Sequence, residues 1–173
     1  MQEVIVPVDF SPASATALRF AARLVEESGM QLRVIYPYTS LVCRASYERS
    51  PDYYLRRLEV ALTAWVSQQL GPPYDAGRVD VRVIDSDPAA YLLASSQEAT
   101  VALIVMGLPE HHEGGGRLPT QALSEAITAG GGCPVILIPA GYEELAATQL
   151  AAPLCGRQSK TYRRRSRLPA GLS

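Results

Sequence analysis

Five short runs of aliphatic and β-branched residues alternate with segments of helical periodicity, and this alternation constrains the fold more than any other feature. The runs lie at residues 4–8, 32–36, 79–84, 101–105 and 135–138. The first run is nearly continuous in hydrophobicity, which is typical of a strand buried on both faces. Parallel neighbours need long crossovers, usually helices, so the βαβαβαβαβ order predicts a parallel α/β sheet with helices on both faces.

Capping residues and prolines predict where the helices begin and end. Ser11 offers a capping hydroxyl with Pro12 just inside the first helix, and Gly29 ends it. The second helix follows a predicted loop at residues 37–51 and ends near residues 71–73. Residues 85–88 cap the third helix.

The remaining local signals lie in the first strand and before the fourth helix. Pro7 cannot donate to a strand ladder, so we expect a local irregularity there. A glycine-rich loop is predicted at residues 107–119. The fourth helix that follows has four residues predicted to face inward: Ala122, Leu123, Ala126 and Ile127.

The chain length of 173 residues fits one domain with a tail. We predict a domain at residues 1–140 and a C-terminal extension at 141–173, in which residues 141–152 could form a further helix. Residues 156–173 contain six of the 16 basic residues and no acidic residue. The rest of the chain has the other ten basic residues and all 17 acidic residues, so its formal charge is −7. The basic tail is predicted to be solvated and flexible, with nucleic-acid contact the less favoured alternative.

Neither a membrane span nor a signal segment is visible in the sequence, which predicts a soluble, cytoplasmic protein without membrane contact. The three cysteines, Cys43, Cys133 and Cys155, have no metal-type spacing. We therefore expect reduced thiols rather than a disulfide.

Asp9 and Gly107 are the first candidates for a binding site. Ligands of open α/β sheets bind outside the carboxyl ends of the strands where the winding reverses. The first strand ends at Asp9 and the fourth at Met106-Gly107, so the two ends share a crevice if the strands are neighbours. A carboxylate can accept hydrogen bonds from a ribose or base edge, and loop amides can bind phosphate. The alternative is that Asp9 only supports the turn.

Three segments resemble the universal stress protein family: VIVPVDFS at 4–11, VMG at 105–107 and CPVILIP at 133–139. They fall on the first, fourth and fifth strands, and the resemblance runs from about residue 3 to residue 140. It implies a doubly wound, Rossmann-like sheet of five parallel strands in the order 3-2-1-4-5. It also implies a stress-response role, in a family of which many members bind ATP and others do not.

The nucleotide motif of that family is Gly-x-x-Gly, nine residues, then Gly-Ser or Gly-Thr. Gly107 matches the first glycine, whereas the middle glycine falls near residues 110–111. The last glycine falls on Gln121 and the hydroxyl residue on Ala122. Glycine lets amides approach phosphate and the hydroxyl donates to it, so these departures predict the loss of tight ATP binding.

The resemblance and the crevice together give a set of candidate cofactor-binding residues. Glu110 and Glu113 would add negative charge beside a triphosphate unless a divalent metal intervened, so ATP with Mg²⁺ is a possible cofactor and none is assigned. The glycine run at 114–116 is more often a flexible loop than an anion site. The candidates are Asp9, Val34, Met106, Gly107, Gly114, Gly115, Gly116 and Arg117.

No catalytic or metal site is predicted. His111 and His112 are the only histidines, and their adjacency does not match the i, i+4 pair of helical zinc sites. Ser11 and Ser14 are interpreted as helix caps, so no catalytic triad is visible. A synthetase or ATP pyrophosphatase would need a phosphate motif at residues 10–14, where the chain reads FSPAS.

The fifth strand predicts a homodimer. In the order that the resemblance implies, its residues lie at a sheet edge and leave an apolar row of amides unpaired. Pairing with the same strand of a second copy would satisfy them, as the resemblance implies for many members. The alternative is that residues 141–155 cover the edge. The strand residues are Val135, Ile136, Leu137 and Ile138.

Two hypotheses about function remain. The first is a non-enzymatic, homodimeric stress-response protein that acts without ATP, through its dimer surface or a protein partner. The second is a nucleotide-binding sensor or slow ATPase, with Asp9, Met106, Gly107 and the loop at 114–116 holding the nucleotide and a divalent metal.

Overall fold

The computed structural model describes residues 2–38, 51–72, 76–108, 120–130, 132–140 and 142. Five strands and four α-helices alternate in this part of the chain, with a 3-10 turn at Ala76–Arg78. The strands are β1 (Glu3–Pro7), β2 (Gln31–Tyr38), β3 (Val79–Asp85), β4 (Val101–Leu108) and β5 (Val135–Pro139). The helices are α1 (Pro12–Ser28), α2 (Pro51–Leu70), α3 (Pro88–Ser96) and α4 (Thr120–Ala129).

All strand pairs are parallel, and the sheet order is β3-β2-β1-β4-β5. The predicted doubly wound α/β fold is therefore confirmed. Side chains of β1 alternate between two cores, since Val4 and Val6 pack with α1 and α2 while Ile5 packs with α3 and α4. All three are fully buried, which explains why the strand reads as a continuous apolar run.

Pro7 ends the pairing between β1 and β4. Glu3 N–H donates to Thr100 O on the β4 side, whereas Val8 N–H donates to Ile35 O in β2. Because successive amides alternate in direction, the N–H that Pro7 lacks belongs to the β4 side. The β1–β4 ladder accordingly stops at Ile5 and its partner in β4, while the β1–β2 ladder continues to Pro7. The register shift in this pair lies at Glu3 and Val4 rather than at Pro7 itself.

Local capping signals are realised as predicted. Ser11 is the N-cap of α1, where its hydroxyl oxygen accepts from the Ser14 amide at 3.1 Å, and Gly29 ends the helix with φ 72°. Asp87 caps α3, and its carboxylate accepts from the Ala90 amide at 2.8 Å. Both helices carry proline in their first turn.

Three predicted boundaries were wrong. β2 continues through Tyr38 because its last residues pair with β3, so the loop does not begin at residue 37. β4 continues through Gly107 and Leu108, which pair with Ile138 and Pro139 of β5. α2 begins at Pro51, a residue predicted to lie in the loop.

One predicted helix face was also partly wrong. Leu123 and Ile127 of α4 are buried as expected, but Ala122 and Ala126 are exposed. The buried stripe follows i, i+3, i+4 and i+7 from Thr120, and the two alanines fall outside it.

No helix in the described ranges is both long enough and apolar enough to cross a membrane. The cytoplasmic location stays a prediction. Residues 143–173 lie outside the described residues, and with them the predicted further helix at 141–152 and the basic tail. The same holds for Cys43 and Cys155, whereas Cys133 is a free thiol.

Candidate functional site

The carboxyl ends of β1 and β4 border a crevice at the switch point of the sheet. β1 has β2 on one side and β4 on the other, so the winding reverses there. The ladder between β1 and β4 ends before β1 does, because of Pro7. Asp9 follows β1 and Gly107 lies near the end of β4. We call this region, from Asp9 to Gly107, the β1–β4 crevice.

Asp9 is half-buried and belongs to a hydrogen-bonded turn with two serines. Ser11 N–H donates to Asp9 Oδ1 at 3.1 Å, and Asp9 N–H reaches Ser14 Oγ at 3.4 Å. The buried Ser14 hydroxyl donates to Ser11 O at 3.0 Å. Asp9 therefore does support the turn before α1, as the alternative interpretation expected, and this turn holds its carboxylate at the edge of the crevice.

Gly107 is held by packing against α1. A Cβ added to it would lie closer to the Ala13 carbonyl than real Cβ atoms approach other backbone atoms. β4 and the first turn of α1 can meet only because this residue has no side chain. Gly107 therefore has a structural reason to be glycine, independent of any phosphate.

Phe10, between Asp9 and Ser11, is unusual in backbone conformation. Its φ is 64°, and it is the sole non-glycine residue with positive φ among those that the structure describes. Its ring contacts Tyr36 of β2 with centroids 4.9 Å apart. It also meets Trp65 of α2 edge to face at 5.4 Å.

Two opposing energies of similar size act on Phe10. The left-handed conformation costs a non-glycine residue roughly 1–2 kcal/mol. Each aromatic contact contributes roughly 0.5–1.5 kcal/mol beyond the burial of area. The stabilisation from the two ring contacts is thus similar in size to the backbone strain and offsets it. The contacts hold Phe10 in this conformation, and with it the turn that carries Asp9.

Val34 and Met106 lie in the core rather than on the crevice surface. Val34 of β2 is fully buried in the core that packs on α1 and α2, and Met106 is 1% exposed in the core on the opposite face of the sheet. Neither residue is accessible to a ligand in this structure, so their assignment to the binding site is not supported. The remaining predicted residues, Gly114, Gly115, Gly116 and Arg117, lie outside the described residues.

The first turn of α4 carries the two residues that replace the glycine and hydroxyl of the phosphate motif. Gln121 and Ala122 are both exposed. The Gln121 amide nitrogen donates to Glu125 Oε1 at 3.3 Å along the helix surface. Ala122 has no polar group to offer. This turn therefore presents an amide side chain and a methyl group where a triphosphate site would need a bare backbone and a hydroxyl.

Metal and thiol chemistry have little support in the described part of the chain. No group of three or more His, Cys, Asp or Glu side chains there could hold a metal ion. His111 and His112 lie outside the described residues. Burial raises the pKa of the Cys133 thiol, and a hydrogen bond from its own backbone opposes this effect.

Sequence reasoning found Asp9 and Gly107 but missed Phe10 and Trp65. Neither residue type signals a binding turn in a sequence. Phe10 is held left-handed by ring contacts to β2 and α2. Those contacts are distant in sequence, so no local pattern could have revealed them. Apart from glycine, left-handed residues are mostly Asn or Asp.

The fold agrees with solved structures. A universal stress protein from Archaeoglobus fulgidus in complex with dAMP has a TM-score of 0.54 and 18% identity, over 80% of this chain and 98% of that one. A universal stress protein in complex with cAMP has a TM-score of 0.52 and 14% identity, over 80% and 97%. A family protein from Burkholderia pseudomallei has a TM-score of 0.50 and 20% identity, over 80% and 96%.

Among curated proteins, none matches the chain. The model of the universal stress protein family matches residues 1–139, which include every strand of the sheet. The chain therefore belongs to the universal stress protein family.

Proposed function

We propose that this chain is a non-enzymatic universal stress protein whose β1–β4 crevice holds an adenine nucleotide with one phosphate, and not ATP, and which works as a homodimer. The observation that carries the proposal is the first turn of α4. Gln121 and Ala122 stand exposed where the family motif has a glycine and a hydroxyl. The crevice keeps a carboxylate that can bind the nucleoside, but it lacks the glycine backbone and the hydroxyl group that would bind a chain of phosphates.

Support for the nucleoside end comes from Asp9. Its half-buried carboxylate lies at the switch point, where α/β sheets bind their ligands. The relatives of similar fold named above were solved with dAMP and cAMP, each of which has a single phosphate. A carboxylate at this place can accept hydrogen bonds from the hydroxyl groups of a ribose.

The phosphate end argues against ATP. A hydroxyl or amide hydrogen bond to phosphate is charge-assisted and contributes roughly 1.5–3 kcal/mol. Ala122 removes that donor, and Gln121 places an exposed amide side chain where the motif has a glycine. Glu110 and Glu113 add like charge in the same segment of the sequence. The β- and γ-phosphates thus gain little on binding, and the residues present do not fit a triphosphate.

The two edges of the sheet support the homodimer. β3 carries the exposed residues Asp80, Arg82 and Asp85, and Arg82 Nε lies 2.6 Å from Asp80 Oδ2. Charges of this kind protect an edge strand from pairing. β5 has none, and Ile136 and Leu137 are only partly buried. We propose that β5 pairs with β5 of a second copy across a two-fold axis.

We propose that the dimer acts by binding a protein partner. The chain outside the basic tail carries a formal charge of −7, which disfavours contact with nucleic acid over most of its surface. The non-enzymatic role rests on the sequence, in which the two histidines are adjacent and no catalytic triad is visible.

Thermal unfolding with AMP, cAMP and ATP–Mg²⁺ tests the binding proposal. AMP or cAMP at 100 times its dissociation constant should stabilise the fold by about 2.7 kcal/mol. Asp9→Ala should abolish this shift, whereas Asp85→Ala, at the end of an outer strand, should keep it. Absence of any shift with millimolar AMP and cAMP would contradict the proposal, as would a larger shift with ATP at equal concentration.

A further inference from the structure

The contacts of Phe10 join the crevice to α2. Its backbone lies between Asp9 and Ser11, and its ring contacts Trp65. Trp65 is partly buried and lies between Leu62 and Val66, both fully buried. α2 is thus in contact with the residue that follows Asp9.

The hydrogen bond that closes this turn spans Phe10. Ser11 N–H donates to Asp9 Oδ1, and Phe10, the residue between them, has the left-handed conformation in this turn. A ligand that donates hydrogen bonds to the Asp9 carboxylate competes with the Ser11 amide for its oxygens. Loss of the bond from Ser11 then releases or increases the backbone strain at Phe10. The conformation of Phe10 responds to this change because its backbone strain and its ring contacts are of similar size.

α2, which Phe10 contacts through Trp65, is tied to α1 and has an exposed outer face. Arg19 of α1 donates to Gln69 Oε1 at 2.8 Å, which ties the last turns of α2 to α1. The outer face of α2 is exposed, with Val60 71% accessible. A shift of Trp65 would therefore alter the middle of a helix whose outer surface is open to other proteins.

We propose that Phe10 is a positioning residue that couples the state of the Asp9 carboxylate to the packing of Trp65, and thereby to the exposed surface of α2. The ligand arm of this inference rests on the proposed function, since it takes Asp9 as the nucleotide-binding carboxylate. The coupling itself exists in the chain without ligand, and it can be measured there.

Tryptophan quenching measures the coupling directly, because Trp65 is the single tryptophan of the chain. In the ligand-free full-length protein, Asp9→Asn weakens the bond from Ser11. It should raise the acrylamide quenching constant of Trp65 above the values of wild type and of Phe20→Leu. In a Phe10→Gly background the same change at Asp9 should have no effect. Phe20→Leu is the matched control, since the Phe20 ring packs on Tyr142 instead.

Addition of AMP gives the second arm. Wild type and Phe20→Leu should show an AMP-dependent change in Trp65 emission, and Phe10→Gly should bind AMP by calorimetry without it. The coupling is refuted if Asp9→Asn leaves quenching unchanged, or changes it equally in the wild-type and the Phe10→Gly backgrounds. Calorimetry that detects no AMP binding refutes the proposed function instead, and the ligand-free quenching still decides the coupling.

Discussion

Gly107 in β4 and Ser14 in α1 approach so closely that a Cβ on the glycine would lie 2.7 Å from the Ser14 backbone nitrogen. The contact brings α1 over the end of β4 and borders the crevice on one side. Gly107 matches the first glycine of a phosphate motif, but the contact shows that a glycine is required here for packing.

Gly107→Ala should therefore destabilise the ligand-free protein. The added methyl group cannot fit without moving the first turn of α1, and overpacking of this kind costs about 1–3 kcal/mol. Urea denaturation followed by circular dichroism would measure it. Gly71→Ala is the comparison for backbone strain without a clash, since Gly71 has open space around it but a φ of 65°, which costs alanine about 1–2 kcal/mol. A Gly107→Ala protein within about 0.5 kcal/mol of wild type would show that the contact is not stabilising.

Substitution in β5 should separate dimer from fold. Leu137→Lys places a charge on the unprotected edge strand, so light scattering should give a monomer. Because Leu137 is partly buried against the core, circular dichroism must show that the variant still folds. Val60→Lys introduces the same charge at an exposed residue of α2 and should leave the dimer intact. A persistent Leu137→Lys dimer, or a wild type that is monomeric at the same concentration, would count against the proposed interface.

Cys133 should react slowly with alkylating agents. Burial raises the pKa of its thiol, so less thiolate is present in the folded protein than in the unfolded chain at about pH 8. The alkylation rate followed by peptide mass spectrometry, which separates Cys133 from Cys43 and Cys155, should rise with pH to a midpoint higher than that of the same peptide in the unfolded chain. Protein unfolded in guanidinium provides the reference. Equal rates in folded and unfolded protein at pH 8 would be inconsistent with this environment.

Signals that act within a few residues made much of the fold predictable. Ser11, Gly29 and Asp87 cap helices through their own side chains or conformations, so their roles could be predicted without knowledge of the rest of the chain. The order of the strands came from a family resemblance in three segments, and the sheet has that order.

The failures share a physical cause, which is dependence on distant partners. β2 and β4 extend beyond their apolar runs because neighbouring strands continue beside them. Phe10 is left-handed because Tyr36 and Trp65 receive its ring. Within the site, Asp9 was predictable from topology, whereas the packing role of Gly107 depends on how close α1 lies to β4.

Restoring the phosphate motif should restore ATP binding. The double variant Gln121→Gly/Ala122→Ser returns a bare backbone and a hydroxyl to the first turn of α4. We expect its affinity for ATP to rise about tenfold, the equivalent of one charge-assisted hydrogen bond, with little change for AMP. Ala126→Ser, one turn further along the exposed surface of the same helix, is the matched control. An unchanged ATP affinity in the double variant would mean that these positions do not limit phosphate binding.

The ratio of dissociation constants for AMP and ATP–Mg²⁺ on the wild-type protein, from isothermal titration calorimetry, tests the central claim most directly. If the crevice grips the nucleoside and one phosphate alone, ATP should bind no more tightly than AMP. ATP binding tenfold or more tightly than AMP, a difference of about 1.4 kcal/mol, would contradict the account.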